Sequence, residues 1–127
     1  MTRSRATAKA AGSSFETLVA SGLADMLDDD RIERRTKNGR LDRGDITGVK
    51  TIRGGRVVLE VKDYGGQIHA TEWLREAAVE TANDDAAISA VVIKKRGTRV
   101  PGEQMVLMSL ADFACLLQGG PENLRGY

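Results

Sequence analysis

The sequence predicts a single α/β domain, a mixed sheet flanked by helices. Three observations carry that prediction. Stretches with helical spacing of apolar residues and stretches rich in β-branched residues follow the order helix, three strands, helix, strand, strand, helix. Glycine-bearing turns at Asn38-Gly39, Arg53-Gly54-Gly55 and Gly65-Gly66 separate them. The chain has 127 residues, enough for one sheet-and-helix core and too few for two.

Ser13-Ser14-Phe15-Glu16 fits a capping box, with Ser13 as N-cap and Glu16 at the third helical position. Phe15, Leu18, Val19, Leu23, Met26 and Leu27 then keep helical spacing, so the first helix is expected over 13–27. Residues 32–36 read as a first strand and Asn38-Gly39 as its turn. A second strand is expected over 45–51, and Arg53-Gly54-Gly55 turns the chain into a third over 56–62. Thr71 is placed to cap a helix running to residue 82, with Trp73, Leu74, Ala77 and Ala78 on its apolar stripe. The run over 87–93, apolar but for Ser89, suits a central strand. A loop containing Pro101 leads to a fifth strand over 104–108. Ser109 then caps a last helix that ends before Gly119-Gly120-Pro121.

Composition excludes several classes. No apolar run reaches membrane-spanning length, and the first residues lack the apolar core of a signal peptide, so a cytoplasmic location is expected. Cys115 is the only cysteine; it can form neither an internal disulfide nor a cysteine-rich metal site, and reads as a small buried hydrophobe. Neither a P-loop nor a GxGxxG occurs, so no nucleotide cofactor is expected. Net charge is +1, but its distribution is uneven. Arg31, Arg34, Arg35, Lys37, Arg40 and Arg43 form one basic cluster; Lys94, Lys95, Arg96 and Arg99 form another. Acids gather at Asp28-Asp29-Asp30 and along Glu72, Glu76 and Glu80. Two basic clusters on a balanced chain suit phosphate contacts, although each alone reads more readily as a solvated turn.

The most informative residues are Arg43-Gly44-Asp45-Ile46 and Val57-Val58-Leu59-Glu60-Val61-Lys62. Side chains alternate along a strand, so Glu60 and Lys62 share one face while Val57, Leu59 and Val61 occupy the other. Charges on an interior strand are costly unless paired or bound to metal. Asp45, on the neighbouring strand, adds a second carboxylate. Mg²⁺ takes one or two carboxylates and leaves its other positions to water and phosphate, and so acidifies a water that can attack a phosphodiester. The competing reading is a simple Glu60–Lys62 ion pair on a half-exposed strand.

These residues resemble the signature of the PD-(D/E)XK nuclease superfamily, and the expected element order is similar to its restriction-endonuclease-like αβββαβ core. Asp45 matches the first acid, Glu60 the second and Lys62 the lysine; Gly44 stands where the motif has proline. Within the superfamily the chain most resembles the archaeal-type and phage Holliday-junction resolvases, whose first helix adds a glutamate at the place of Glu16. The resemblance covers residues 12–117. It implies a Mg²⁺-dependent endodeoxyribonuclease, with Mn²⁺ able to substitute, that leaves 5′-phosphate and 3′-hydroxyl ends. Asp45, Glu60 and Glu16 would be the metal ligands and Lys62 a catalytic partner. It further implies a homodimer acting on branched DNA such as a four-way junction. Arg34, Arg35, Lys37, Arg40, Arg43, Lys94, Lys95 and Arg96 are the candidate DNA contacts. Residues 1–12 would be a flexible basic tail, 13–118 the nuclease domain and 119–127 a C-terminal tail. Glu16 has a rival role as the capping-box acid. Asp42 and Asp63 could act behind the ligands, while His69 and Gln67 sit in a loop within reach of substrate. Other repair or restriction-like nucleases of the superfamily, and a DNA-binding protein that keeps the fold without the chemistry, remain alternatives.

Overall fold

A computed structural model describes residues 5–34, 45–83 and 85–120. Its elements are α1 (Arg5–Leu27), β1 (Glu33–Arg34), β2 (Ile46–Thr47), β3 (Val57–Lys62), α2 (Ala70–Asn83), β4 (Ile88–Ile93), β5 (Met105–Leu107) and α3 (Leu110–Leu117). A short 3₁₀ turn, Pro101–Glu103, precedes β5. The five strands form one sheet in chain order, antiparallel throughout except for β3 and β4. A parallel pair needs a crossover, and α2 supplies it. The chain is thus α/β, a five-stranded mixed sheet with three helices, as the sequence predicts.

Alternation along β3 sorts the core into two layers. Leu59 and Val61 pack with Phe15, Val19 and Ala20 of α1, together with Ile46, Ala90 and Val92. The other face of β4, Val91 and Ile93, packs with Trp73 and Ala77 of α2. Glu60 and Lys62 alternate with Leu59 and Val61, so they project into the α2 layer. This follows from the sequence pattern. The helix stripe does not: Trp73, Ala77 and Glu80 are the buried residues of α2, while Ala78 is exposed.

Two expected caps do not form. The first helix begins at Arg5, so Ser13 lies inside it, and its carbonyl accepts a hydrogen bond from Thr17 Oγ1 at 3.1 Å. The alanine-rich run from Ala6 to Ala11 explains the extension, because alanine has the highest helix propensity and outweighs a capping pattern placed in mid-helix. Residues 5–12 are therefore helical. Thr71 likewise lies inside α2, whose first turn is closed by the Trp73 N–H donating to the His69 carbonyl at 3.0 Å. Ser109 does cap α3, accepting from the Asp112 N–H at 3.1 Å. Cys115 is buried as expected, and burial pushes its thiol pKa up. The Asn38-Gly39 turn, the end of the first expected strand, Asp42 and Pro121 lie outside the described residues.

The second strand is shorter than the expected 45–51 because it bulges. Ile46 pairs with Leu59 and Lys50 bridges Arg56, so four steps on this side oppose three on β3. One extra residue is the mark of a β-bulge. Gly48 takes it up at φ +88, and a Cβ there would stand 2.3 Å from the Arg31 carbonyl oxygen. Gly48→Ala is therefore expected to cost about 1–3 kcal/mol, from left-handed strain and collision with backbone. Ser13→Ala, with no cap to lose, should stay within roughly 0.5 kcal/mol of the parent. Urea unfolding of the two variants checks both: an unchanged Gly48→Ala would contradict the bulge, and a loss of about 1 kcal/mol in Ser13→Ala would contradict the helix start.

Candidate active site

Three of the four expected catalytic residues meet on the sheet. Asp45 is 3% exposed. Its backbone N–H donates to the Leu59 carbonyl at 2.9 Å, and its carboxylate Oδ2 accepts from the Val61 N–H at 2.8 Å. The Asp45 carboxylate is thereby pinned to the β3 backbone between Glu60 and Lys62. The bulge that shortens β2 lies just beyond it.

Glu60 is 9% exposed. One carboxylate oxygen, Oε1, is 3.7 Å from Lys62 Nζ; the other, Oε2, is buried with no hydrogen-bond partner among the described residues. A buried acceptor left without a donor costs on the order of 1–3 kcal/mol, and more when charged. The simple ion-pair reading leaves that oxygen unexplained.

Lys62 is held more tightly by a residue not singled out in the sequence. Its ammonium donates to Glu76 Oε2 of α2 at 2.8 Å, nearer than Glu60, and stands 5.8 Å and 5.9 Å from the ring centroids of Trp73 and Tyr64. Burial by itself would lower the Lys62 pKa. The hydrogen bond to Glu76 and the negative charges of Glu60 and Glu76 outweigh it and hold the ammonium above the usual lysine value. Lys62 is therefore a cation at neutral pH. The available signal for Glu76 was its spacing: three residues after Trp73, it lies on the buried side of α2.

Glu16 is placed elsewhere. Its Oε2 accepts from Arg34 Nε at 2.8 Å, and Arg34 Nη2 is also 3.5 Å from Ser13 Oγ. The capping role is removed by the helix start, and the carboxylate is joined to β1 rather than to Asp45 or Glu60. Among the described residues no group of three or more His, Cys, Asp or Glu side chains converges as a metal site. The acids that the sheet brings side by side are Asp45 and Glu60.

The expected DNA contacts divide. Arg34 is exposed and paired with Glu16; Arg35, Lys37, Arg40 and Arg43 lie outside the described residues. Arg31 is forked onto Asp29, whose carboxylate it lowers to about 2. Lys94 turns back into its own loop, donating to the carbonyls of Lys95 and Thr98. Lys95 and Arg96 are exposed, and the Arg96 side chain lies against Gly66. Because β3 and β4 run parallel with Lys62 opposite Ile93, these two cations follow β4 at the same end of the sheet as Lys62. His69 is exposed beside Tyr64 and Trp73, the Gln67 N–H closes a turn onto the Tyr64 carbonyl, and Asp63 is half-buried at the end of β3. Among the described residues no helix is long and apolar enough to cross a membrane. Comparison with protein-family models, curated proteins and solved structures finds no match.

The Lys62 shift has a sign that can be checked in metal-free protein. Its folded-state pKa lies above the unfolded value, so its stabilisation is complete below about pH 10 and is lost as pH rises through the folded-state value. Urea unfolding in EDTA should therefore show wild-type stability falling more steeply at alkaline pH than that of Lys62→Met. Parallel curves would show that the Glu76 contact holds no charge in place.

Proposed function

We propose that the chain is a Mg²⁺-dependent DNA endonuclease of the PD-(D/E)XK kind, similar to the Holliday-junction resolvases. The observation that carries this reading is Glu60 Oε2, a buried carboxylate oxygen without a donor among the described residues, next to the buried Asp45 carboxylate. The donor set fits a hard divalent cation, which accepts one or two carboxylates and completes its shell with water and phosphate oxygens. Asp45 and Glu60 would hold it; once bound, it would polarise the scissile phosphate and acidify a water. The order α1, β1, β2, β3, α2, β4 agrees with the restriction-endonuclease-like core and supports the same reading.

The remaining work falls to the chain. Lys62, fixed as a cation by Glu76, sets a positive charge beside the site, where it can offset the charge that builds on the phosphoryl oxygens in the transition state. Asp45 is kept in position by the Val61 N–H. Lys95 and Arg96 can neutralise flanking phosphates, and Arg34 can do so from β1. Glu16 joins the metal ligands only if Arg34 releases it; while paired, it orients Arg34. Such contacts read backbone and shape rather than base sequence, which suits branched DNA, and two nicks placed symmetrically call for a homodimer. The capture of Lys62 by Glu76 favours one rival, a DNA-binding protein of the same architecture without catalysis.

Cleavage of an end-labelled four-way junction, beside a linear duplex of the same arms, separates these readings. Wild-type protein with Mg²⁺ or Mn²⁺ should nick the junction and leave the duplex intact, yielding 5′-phosphate ends. Asp45→Asn and Glu60→Gln should each lower the rate at least about a hundredfold, the scale for loss of a principal charge-stabilising group, while junction binding is retained. Nicking of both substrates points to a general nuclease. Binding without nicking by the wild type leaves the non-catalytic reading.

A further inference from the structure

The chain has five Phe, Tyr and Trp residues and one His, yet three of these six rings meet at one point, the carboxyl end of β3. Tyr64 and Trp73 stand edge to face at 5.2 Å between centroids, His69 and Trp73 at 5.4 Å, and Tyr64 and His69 at 6.1 Å. Trp73 is the buried base of the cluster, 2% exposed, whereas Tyr64 is 51% exposed and His69 is exposed too. A ring cluster built on a core tryptophan and opened to solvent on two sides is more than core packing requires.

The loop that carries it is fixed in place. The Gln67 N–H donates to the Tyr64 carbonyl at 3.2 Å, and the two residues between them, Gly65 and Gly66, sit at φ +63 and +93. Positive φ at both central positions is the geometry of a type I′ turn, which glycine adopts without strain. The Arg96 side chain lies over Gly66, and Lys62 Nζ is 5.9 Å from the Tyr64 ring centroid. Rings and cations thus share one edge. Aromatic faces stack on any base, and neighbouring Lys and Arg follow the phosphates of the same strand.

We propose that Tyr64 and His69 form a stacking platform for an unpaired DNA base, set beside the phosphate that Lys62 faces. The proposal rests on the reading of this edge as the DNA-facing side, and it names the feature of branched DNA that the protein would select: a nucleotide out of the duplex stack. Linear duplex offers no such base except at its ends. His69 and Gln67, which stand near substrate in the sequence, acquire distinct parts: one is a ring of the platform, the other closes the turn beneath it.

The test uses a four-way junction carrying 5-iodouracil at nucleotides flanking the branch, irradiated on the 127-residue chain in EDTA so that no cleavage occurs. Cross-linking should map to Tyr64 or His69, and should be absent with 5-iodouracil inside linear duplex. Tyr64→Leu should lose the Tyr64 cross-link and weaken junction binding about tenfold; Tyr64→Phe, which keeps the ring, should bind like wild type. Cross-links confined to other residues, or wild-type affinity in Tyr64→Leu, would overturn the platform. The two readings fail separately. Tyr64-dependent cross-linking without nicking in Mg²⁺ keeps the platform and removes the nuclease, and nicking with Tyr64-independent binding does the reverse.

Discussion

Removing a carboxylate from water costs several kcal/mol unless another group answers its charge, and β3 turns two charged side chains into the layer between sheet and helix. Glu60 and Lys62 are placed there by alternation: Leu59 and Val61 must face α1 to complete the core, so their neighbours must face α2. The surroundings then answer Lys62 well. Glu76 reaches it from α2, and the Tyr64 and Trp73 rings stand about it. Glu60 is answered on one oxygen only. That asymmetry marks the site: the contact with Lys62 answers one oxygen of Glu60 and leaves the other bare among the described residues.

The backbone around these residues serves the same end. The Gly48 bulge interrupts the ladder between β2 and β3 just past Asp45, and the Asp45 carboxylate takes the Val61 N–H. One extra residue just after β2 thus lies between the bridge of Lys50 with Arg56 and the acid-bearing end where Ile46 pairs with Leu59. Bulges are common next to active sites because they re-aim side chains. The parallel pairing of β3 and β4 does the rest, delivering Lys62, the Tyr64 turn, Lys95 and Arg96 to one end of the sheet. Glu16 and Arg34, joined to each other, form a separate pair between α1 and β1.

Much of the frame was legible because it rests on local pattern. The β-branched run of β4, the alternation of β3 and the serine cap of α3 each state their structure within a few residues. The shared face of Glu60 and Lys62 was legible for the same reason, since alternation along β3 sends both away from the side that Leu59 and Val61 pack. The helix starts were not. Ser13 and Thr71 look like caps, but a cap is one hydrogen bond; it yields to an alanine-rich run before Ser13, and α2 closes its first turn ahead of Thr71 through the Trp73 N–H and the His69 carbonyl. Glu76 was hidden because its partner lies on another element fourteen residues away. Its place in an acidic series along α2 gives no sign of that partner, and only the buried Trp73 three residues before it points inward. Lys94 shows the opposite failure: its place in a basic cluster suggests DNA, while its ammonium satisfies two loop carbonyls.

The proposed nuclease needs a divalent cation on the bare oxygen of Glu60. Electron paramagnetic resonance of Mn²⁺ added to the protein, without DNA, reads that binding, because bound Mn²⁺ loses the signal of the free hexaaqua ion. Saturable Mn²⁺ binding is expected in the wild type, displaced by Mg²⁺ and abolished in Glu60→Gln, with the fold unchanged by circular dichroism. Mn²⁺ binding of equal strength in Glu60→Gln, or none in the wild type, would contradict the proposal.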